Sequence, residues 1–328
     1  MIRYIAGRLV ESVFVLIIMS FVIYALIGLM PGDPIDLMIK SDPRLTPADA
    51  ARLRAVYGLD QPLLERYYNW AMKALGGDFG NSRLHIRPVL DVMGPFMTNT
   101  INLMGLSFIA SVAIAIPAGA YAAIHQNSRA DHIINLLCFA GISVPVFWLA
   151  LMLIIVFAVL IPILPASGVS AINGGGFIDT ARHLVLPVIT LTVFSIGSYT
   201  RFMRASMIEV MRQDYIRTAF AKGATRGQVV RRHAFRNALI PVTTVIALSF
   251  GTLFSGALIT ETMFAYPGMG KLIFDSIMGN DYNMALVTLL LATLVTLLAN
   301  LGADITYAWL DPRISLGGGK SAKTKGGS

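Results

Sequence analysis

The sequence predicts an all-helical integral membrane protein with six transmembrane spans. Three observations carry that expectation. Apolar residues make up 55% of the 328-residue chain and charged residues only 13%, about half the charged share of a soluble domain. The mean hydropathy of +0.68 is spread over several runs instead of one anchor. Each longer run reaches the length needed to cross a hydrocarbon core. Such a composition excludes a soluble globular protein and a disordered chain.

The first run, Ser12 to Met30, is 19 residues long. At 1.5 Å per residue it reaches roughly 28 Å, and no small-residue cleavage site follows it, so residues 1–30 read as an uncleaved anchor. Glu11 lies one turn from Arg8 and pairs with it at the helix end. Residues 31–98 form a long polar connection. Thr46-Pro47-Ala48-Asp49 has the form of a helix start, with Gly58 as its stop. A second helix runs from Pro62 to Leu75 and ends at Gly76-Gly77. Leu53, Val56, Tyr57, Leu63, Leu64, Tyr67 and Trp70 are too few for an independent core, so this segment is expected to be a small cap packed on the membrane portion. The runs Ile101–Ile124, Ile133–Leu160, Leu184–Tyr199, Ala238–Thr260 and Met284–Leu310 complete a core over 99–313, and 314–328 is a flexible tail. Gly317-Gly318-Gly319-Lys320-Ser321 imitates the end of a phosphate-binding loop, but Ile314 stands where its first glycine is required.

Charge sets the expected orientation. Between Arg201 and Asn237 nine Lys or Arg face only Glu209 and Asp214, which marks a cytosolic connection. Arg3 and Arg8, and Arg313, Lys320, Lys323 and Lys325, place both termini on the same side. The stretch with Glu261, Lys271, Asp275 and Asp281 is net acidic and external, as is the long loop by helix count. Within the cytosolic loop, Asp214 is suited to cap a helix over Tyr215–Lys222, and Gly223 supplies the left-handed residue that ends it. Thr225-Arg226-Gly227-Gln228 has capping-box spacing and starts the next helix, which continues through Arg231, Arg232 and Arg236. Local features alone leave two readings of this knuckle: a docking element, or a basic segment held by anionic membrane lipids.

The residues themselves tilt the balance. Gln213-Asp214-Tyr215-Ile216-Arg217-Thr218-Ala219-Phe220-Ala221-Lys222-Gly223, followed by His233-Ala234-Phe235-Arg236-Asn237-Ala238-Leu239-Ile240-Pro241, resembles the EAA loop of ATP-binding-cassette importer permeases, in the version of the dipeptide, oligopeptide and nickel permease family. Pro31-Gly32-Asp33-Pro34, Gly58-Leu59-Asp60-Gln61-Pro62, Gly77-Asp78-Phe79-Gly80, Pro145-Val146-Phe147-Trp148, Glu261 through Gly270, and Asp311-Pro312-Arg313 resemble further landmarks in the right order. The name-giving Glu-Ala-Ala is Arg217-Thr218-Ala219 here, as in the peptide-permease version. Asn280-Asp281-Tyr282-Asn283 lacks the usual arginine and proline.

The resemblance implies a type I importer permease fold in a bacterial inner membrane. It assigns ATPase coupling to Asp214, Tyr215, Thr218, Ala219, Ala221, Lys222, Gly223, Thr225, His233, Arg236 and Asn237. It assigns a loop facing an external binding protein to Glu261, Phe264, Tyr266, Pro267, Gly268 and Gly270. It further implies a second homologous permease, two ATPase subunits carrying ATP and Mg, a periplasmic substrate-binding protein and surrounding lipid, with no nucleic acid and no cofactor or metal on this chain. The expected cargo is a dipeptide or oligopeptide, with nickel, glutathione or an oligosaccharide as alternatives.

Path lining is a weaker expectation. Thr244, Leu248, Gly251, Ser255 and Leu258 recur at helical spacing, as do Ser249, Thr252 and Gly256, with Thr192, Ser195 and Ser198 similar one span earlier. The same spacing of small residues also permits close helix packing, which is the preferred explanation. Asn300 and Asp304 share a face near the cytosolic end of the last span, where a structural hydrogen bond is expected. Two other classes fit poorly. A membrane enzyme needs a positioned nucleophile, base or metal, and His85, His125, His132, His183 and His233 form no ligand pattern. Cys138 is the single cysteine and excludes an internal disulfide. An ion-coupled carrier would place charged relays near the midplane.

Overall fold

The computed structural model describes residues 2–29, 46, 52, 61–171 and 174–310, and leaves out the side chains of 2–5, 247, 248, 250–256, 303, 304 and 306–310. The expected cap helix at 46–58, the landmarks at 31–34, 58–60 and 311–313, the Asp304 side chain and the tail lie outside that description. The described chain is helical, with a single isolated bridge between Asn81 and Pro88 as its β pairing.

Helix α1 is Ile2–Gly28, and α2 is Leu63–Leu75, closed by Gly76. Then come α3, Val89–Ile124, and α4, Arg129–Ser143. Helix α5, Val146–Ile154, passes into a π-helical turn at Ile155–Leu160. Helix α6 is Gly176–Met211 and α7 is Asp214–Ala221. A turn at Arg226–Gln228, α8, continues through a π-helical segment at Val229–Ala234 into α9, Phe235–Met263. Helices α10, Met269–Met278, and α11, Tyr282–Leu310, follow.

Among the described residues, four helices are long and apolar enough to cross a membrane: Ala6–Gly28, Val89–Ile124, Gly176–Met211 and Tyr282–Gly302. The run expected as one span over Ile133–Leu160 is instead two helices, α4 and the α5 segment, bent by 99°. Pro145 is the physical reason: it offers no N–H and forces the residue before it out of the helical region. Val144 sits at φ −81°, ψ 124°. Helix α3 begins at Val89, ahead of the apolar run at Ile101–Ile124.

Helix α6 is the centre of the bundle, packed on α3, α4 and α9. Two glycines set the spacing. A Cβ on Gly119 would lie 2.5 Å from the Thr200 carbonyl and 2.7 Å from the Met203 Cβ. A Cβ on Gly197 would lie 2.6 Å from the Cys138 carbonyl. A buried cluster of Ala115, Tyr199, Met203, Met207, Ile216, Val229 and Ala238 joins α3, α6, α7 and α9 at one end of the bundle. Leu103, Ala150, Leu186, Leu191, Phe264 and Tyr266 form a second cluster. Ile23 and Ile27 of α1 pack on Ala285 and Leu286 of α11 in a third.

Candidate functional site

The knuckle at α7 is built from short-range chemistry. Gly223 at φ +84° ends the helix, with its N–H donating to the Phe220 carbonyl at 2.9 Å and the Ala224 N–H to the Ala219 carbonyl at 3.2 Å. These two bonds satisfy carbonyls the helix end would otherwise leave bare, and the left-handed turn is cheap because glycine has no Cβ. The capping box is complete: the Gln228 N–H donates to Thr225 Oγ1 at 3.4 Å, and the Thr225 N–H donates to Gln228 Oε1 at 2.9 Å. One expectation is corrected. Gln213, not Asp214, holds the N-cap position, and no side chain caps it. Asp214 is the first helical residue, where a carboxylate favours the helix dipole, 3.5 Å from Arg217.

Only Ile216 of α7 is buried, at 1% exposure among Met203, Met207, Val229 and Ala234. Asp214, Tyr215, Thr218, Ala221, Lys222, Gly223 and Thr225 are exposed, and Ala219 is half-buried. The helix therefore stands proud of the bundle on one buried apolar peg, with Ala219 half-buried against the same cluster. Two links carry it into the membrane helices. Arg226 Nη2 donates to the Ile124 carbonyl at the end of α3 at 2.8 Å, and the π-helical segment runs directly into α9. His233 lies in that segment and its carbonyl accepts from Asn237 Nδ2 at 2.8 Å, while Arg236 is exposed.

Behind the knuckle lies an ion pair that sequence reasoning missed. Arg204 of α6 donates from Nε and Nη2 to the two Asp131 oxygens at 2.6 and 2.7 Å. Asn135 Nδ2, at 2.7 Å, and the Asn127 N–H, at 3.0 Å, complete the carboxylate's shell. The bidentate geometry ties α4 to α6. Ser128 Oγ accepts from the Asp131 N–H and caps α4, while the arginine lies 73 residues away along the chain.

The expected partner-facing turn is turned inward. Glu261 is fully buried; Oε1 accepts from Thr100 Oγ1 at 2.6 Å and Oε2 from the Gly270 and Lys271 N–H groups at 2.7 and 3.1 Å. Thr100 Oγ1 accepts in turn from the Met269 N–H at 2.7 Å, and Asn99 Nδ2 donates to the Pro267 carbonyl at 2.9 Å. A Cβ on Gly268 would lie 2.1 Å from Glu261 Oε1, and one on Gly270 2.4 Å from the Leu258 Cα. Phe264 and Tyr266 are each 1% exposed. Burial first, and then the Glu261 carboxylate, push the Tyr266 phenol up to about 12, so it stays protonated and donates to the Asn99 carbonyl. The side chains of Glu261, Phe264 and Tyr266 thus point inward and clamp α3 to the α9–α10 turn.

The path candidates are divided. Ser195 is buried in α6, and Ser249 donates to the Val245 carbonyl of its own helix at 2.8 Å. Thr244 donates to the Ile240 carbonyl of its own helix at 3.4 Å, and Ser198 is half-buried. The side chains of Thr252 and Ser255 lie outside the described residues. Glu11 pairs with Arg8 at 3.2 Å, as expected.

Comparison with known proteins agrees with this architecture. Residues 115–316 match the model of the binding-protein-dependent transport system inner membrane component, and residues 1–90 match the corresponding N-terminal model. The chain is 35% identical over 316 residues to the oligopeptide transport system permease protein AppB of Bacillus subtilis, covering 96% of this chain and 99% of that one. It is equally 35% identical to the dipeptide transport system permease protein DppB of Escherichia coli K12, with the same coverages. A probable peptide transporter permease protein of Sinorhizobium fredii is 37% identical over 311 residues, covering 95% of this chain and 98% of that one. In fold, the chain resembles a methionine ABC transporter captured facing inward, with a TM-score of 0.56 at 16% identity over 68% of this chain and 97% of that one. The chain belongs to the inner-membrane permease family of binding-protein-dependent transport systems.

Proposed function

We propose that this chain is one transmembrane subunit of an ATP-driven peptide importer, crossing the inner membrane six times with both ends in the cytosol. Its relatives' names supply the cargo class, and the positive charge around the knuckle supplies the orientation. The observation that carries the mechanism is α7, an eight-residue helix held by the single buried residue Ile216 and otherwise open to a partner. An ATPase dimer that closes on ATP and Mg would grip this helix and its counterpart on a second permease. The force would reach α3 through Arg226 and α9 through the π-helical segment. A path between the two permeases would then open toward an external binding protein and reset after hydrolysis. Such coupling requires the partner to contact the knuckle differently in two states.

The chain should be purified from native membranes with its companions, placed in lipid discs, and assayed for ATP hydrolysis with the co-encoded binding protein, with and without peptides. Copurified ATPases stimulated by a peptide-loaded binding protein are expected. A chain that comes alone through several mild detergents would overturn the coupling reading. Stimulation by a non-peptide ligand would overturn only the cargo class.

A further inference from the structure

Helix α2 has three distinct faces. Its inner face rests on the ends of two membrane helices. The Tyr67 hydroxyl lies 2.7 Å from Ser20 Oγ, and its ring centroid is 5.2 Å from Phe21 and 5.6 Å from Tyr24. Trp70 lies 5.8 Å from Tyr24 and packs against Ile23, Ile27, Ala285 and Leu286. A second face carries Leu64, Tyr68, Met72 and Leu75, which are 69, 62, 53 and 83% exposed. A third carries Glu65, Asn69 and Lys73, all exposed. At about 100° per residue the apolar stripe and the polar stripe flank the inner face on opposite sides.

The depth of this helix follows from its contacts. The residues of α1 that touch it run from Ser20 to Gly28, whose nearest α2 neighbour is Leu63. Eight residues at 1.5 Å place all of them within about 12 Å of the end of the span. The partner end on α11 is also its membrane-entry end, at Ala285 and Leu286. An amphipathic helix at a membrane boundary buries its apolar face by about 5–10 Å, which falls within that range. Tyr24, Tyr67 and Trp70 are the aromatic types enriched there. Deeper along the same side of α1, Ile17, Val13 and Val10 are exposed, so α2 sits above an apolar surface that a spanning helix presents to lipid.

We propose that α2 lies along the membrane–water boundary, with Leu64, Tyr68, Met72 and Leu75 among lipid acyl chains and Glu65, Asn69 and Lys73 toward headgroups and water. The partner of this face is the bilayer itself. The segment expected as an external cap is thereby a lipid-immersed strut bracing the α1–α11 pair. The inference rests on the membrane placement of α1 and α11 and is independent of ATPase coupling.

The test uses the full chain in lipid discs with a bimane label on Tyr68→Cys, Met72→Cys or Asn69→Cys; the native Cys138 is buried, so the introduced thiol reacts. Labels at 68 and 72 are expected to lose fluorescence in discs made with acyl-brominated phosphatidylcholine and to ignore aqueous iodide. The label at 69 is expected to do the reverse. Iodide quenching at 68 and 72 would overturn the proposal. Protection from both quenchers would also overturn it, with a protein partner responsible if washing restores quenching and the chain's own residues if it does not. Should Tyr68→Cys fail to assemble, Leu75→Cys is judged by the same outcomes.

Discussion

Ile216→Ala tests how the knuckle is held. Ile216 is 1% exposed and is the only fully buried residue of α7, so its side chain supplies most of the helix's apolar attachment, with the half-buried Ala219 beside it. Truncating a buried isoleucine to alanine costs about 2–5 kcal/mol. A helix of eight residues has no stability of its own to offset this, since isolated helices shorter than about 12–15 residues are marginal in water. At about 1.4 kcal/mol per tenfold change, the docked knuckle should lose between about thirtyfold and several thousandfold in its equilibrium over the detached form. Amide exchange read by mass spectrometry should therefore accelerate by such a factor across 216–224, while α3 and α6 keep their protection. In proteoliposomes with companion subunits, uptake should fall while the complex still assembles. Ile216→Val, which removes one methylene for about 0.5–1.5 kcal/mol, should show a small fraction of the effect. Unchanged exchange across 216–224 in Ile216→Ala would refute the single-peg account.

Three further substitutions probe the other contacts. Gly223→Val meets no atom within 4 Å but forces a β-branched residue to φ +84°, so uptake should fall with spans inserted normally, while Gly223→Asn should retain most of it; equal uptake for both would count against the turn. Asp131→Ala leaves the half-buried Arg204 without its carboxylate and should cost about 1.5–3 kcal/mol, read as a lowered midpoint in thermal unfolding of the detergent-solubilised protein. Gly268→Ala drives a methyl into Glu261, at 2.1 Å from Oε1, and should expose Tyr266 to proteolysis at the α9–α10 turn; a wild-type digestion pattern would show that the clamp can relax.

How much of this was legible in the chain depends on the range of the interactions involved. Gly223, the Thr225–Gln228 box and the Arg8–Glu11 pair are local, each closed within four residues, and sequence spacing exposed all three. The apolar runs were equally plain, because hydrophobicity accumulates along a segment. The 99° bend at Pro145 was marked by a proline, but continuous hydrophobicity on both sides concealed it. The inward turn of Glu261 was hidden for another reason. Its partners Thr100, Gly270 and Lys271 come from separate helices, and an acid in a polar connection gives no sign that amides await it. Arg204 and Asp131 are likewise 73 residues apart. The π-helical stretch at Val229–Ala234 left no trace in composition that distinguishes it from an ordinary helix.

The glycine contacts between helices also constrain how the bundle can move. At Gly119 and Gly197 the first atom a Cβ would meet is a backbone carbonyl of the facing helix, and at 2.5–2.6 Å from a virtual Cβ there is little soft layer to compress. Helices separated by leucines can slide by exchanging rotamers, whereas helices in direct backbone contact slide only by separating. Helices α3, α4 and α6 are therefore keyed together like stones cut to fit. Any stroke delivered at α7 would swing that block as one piece, leaving hinge motion to the α4–α5 bend and the π-helical joint before α9.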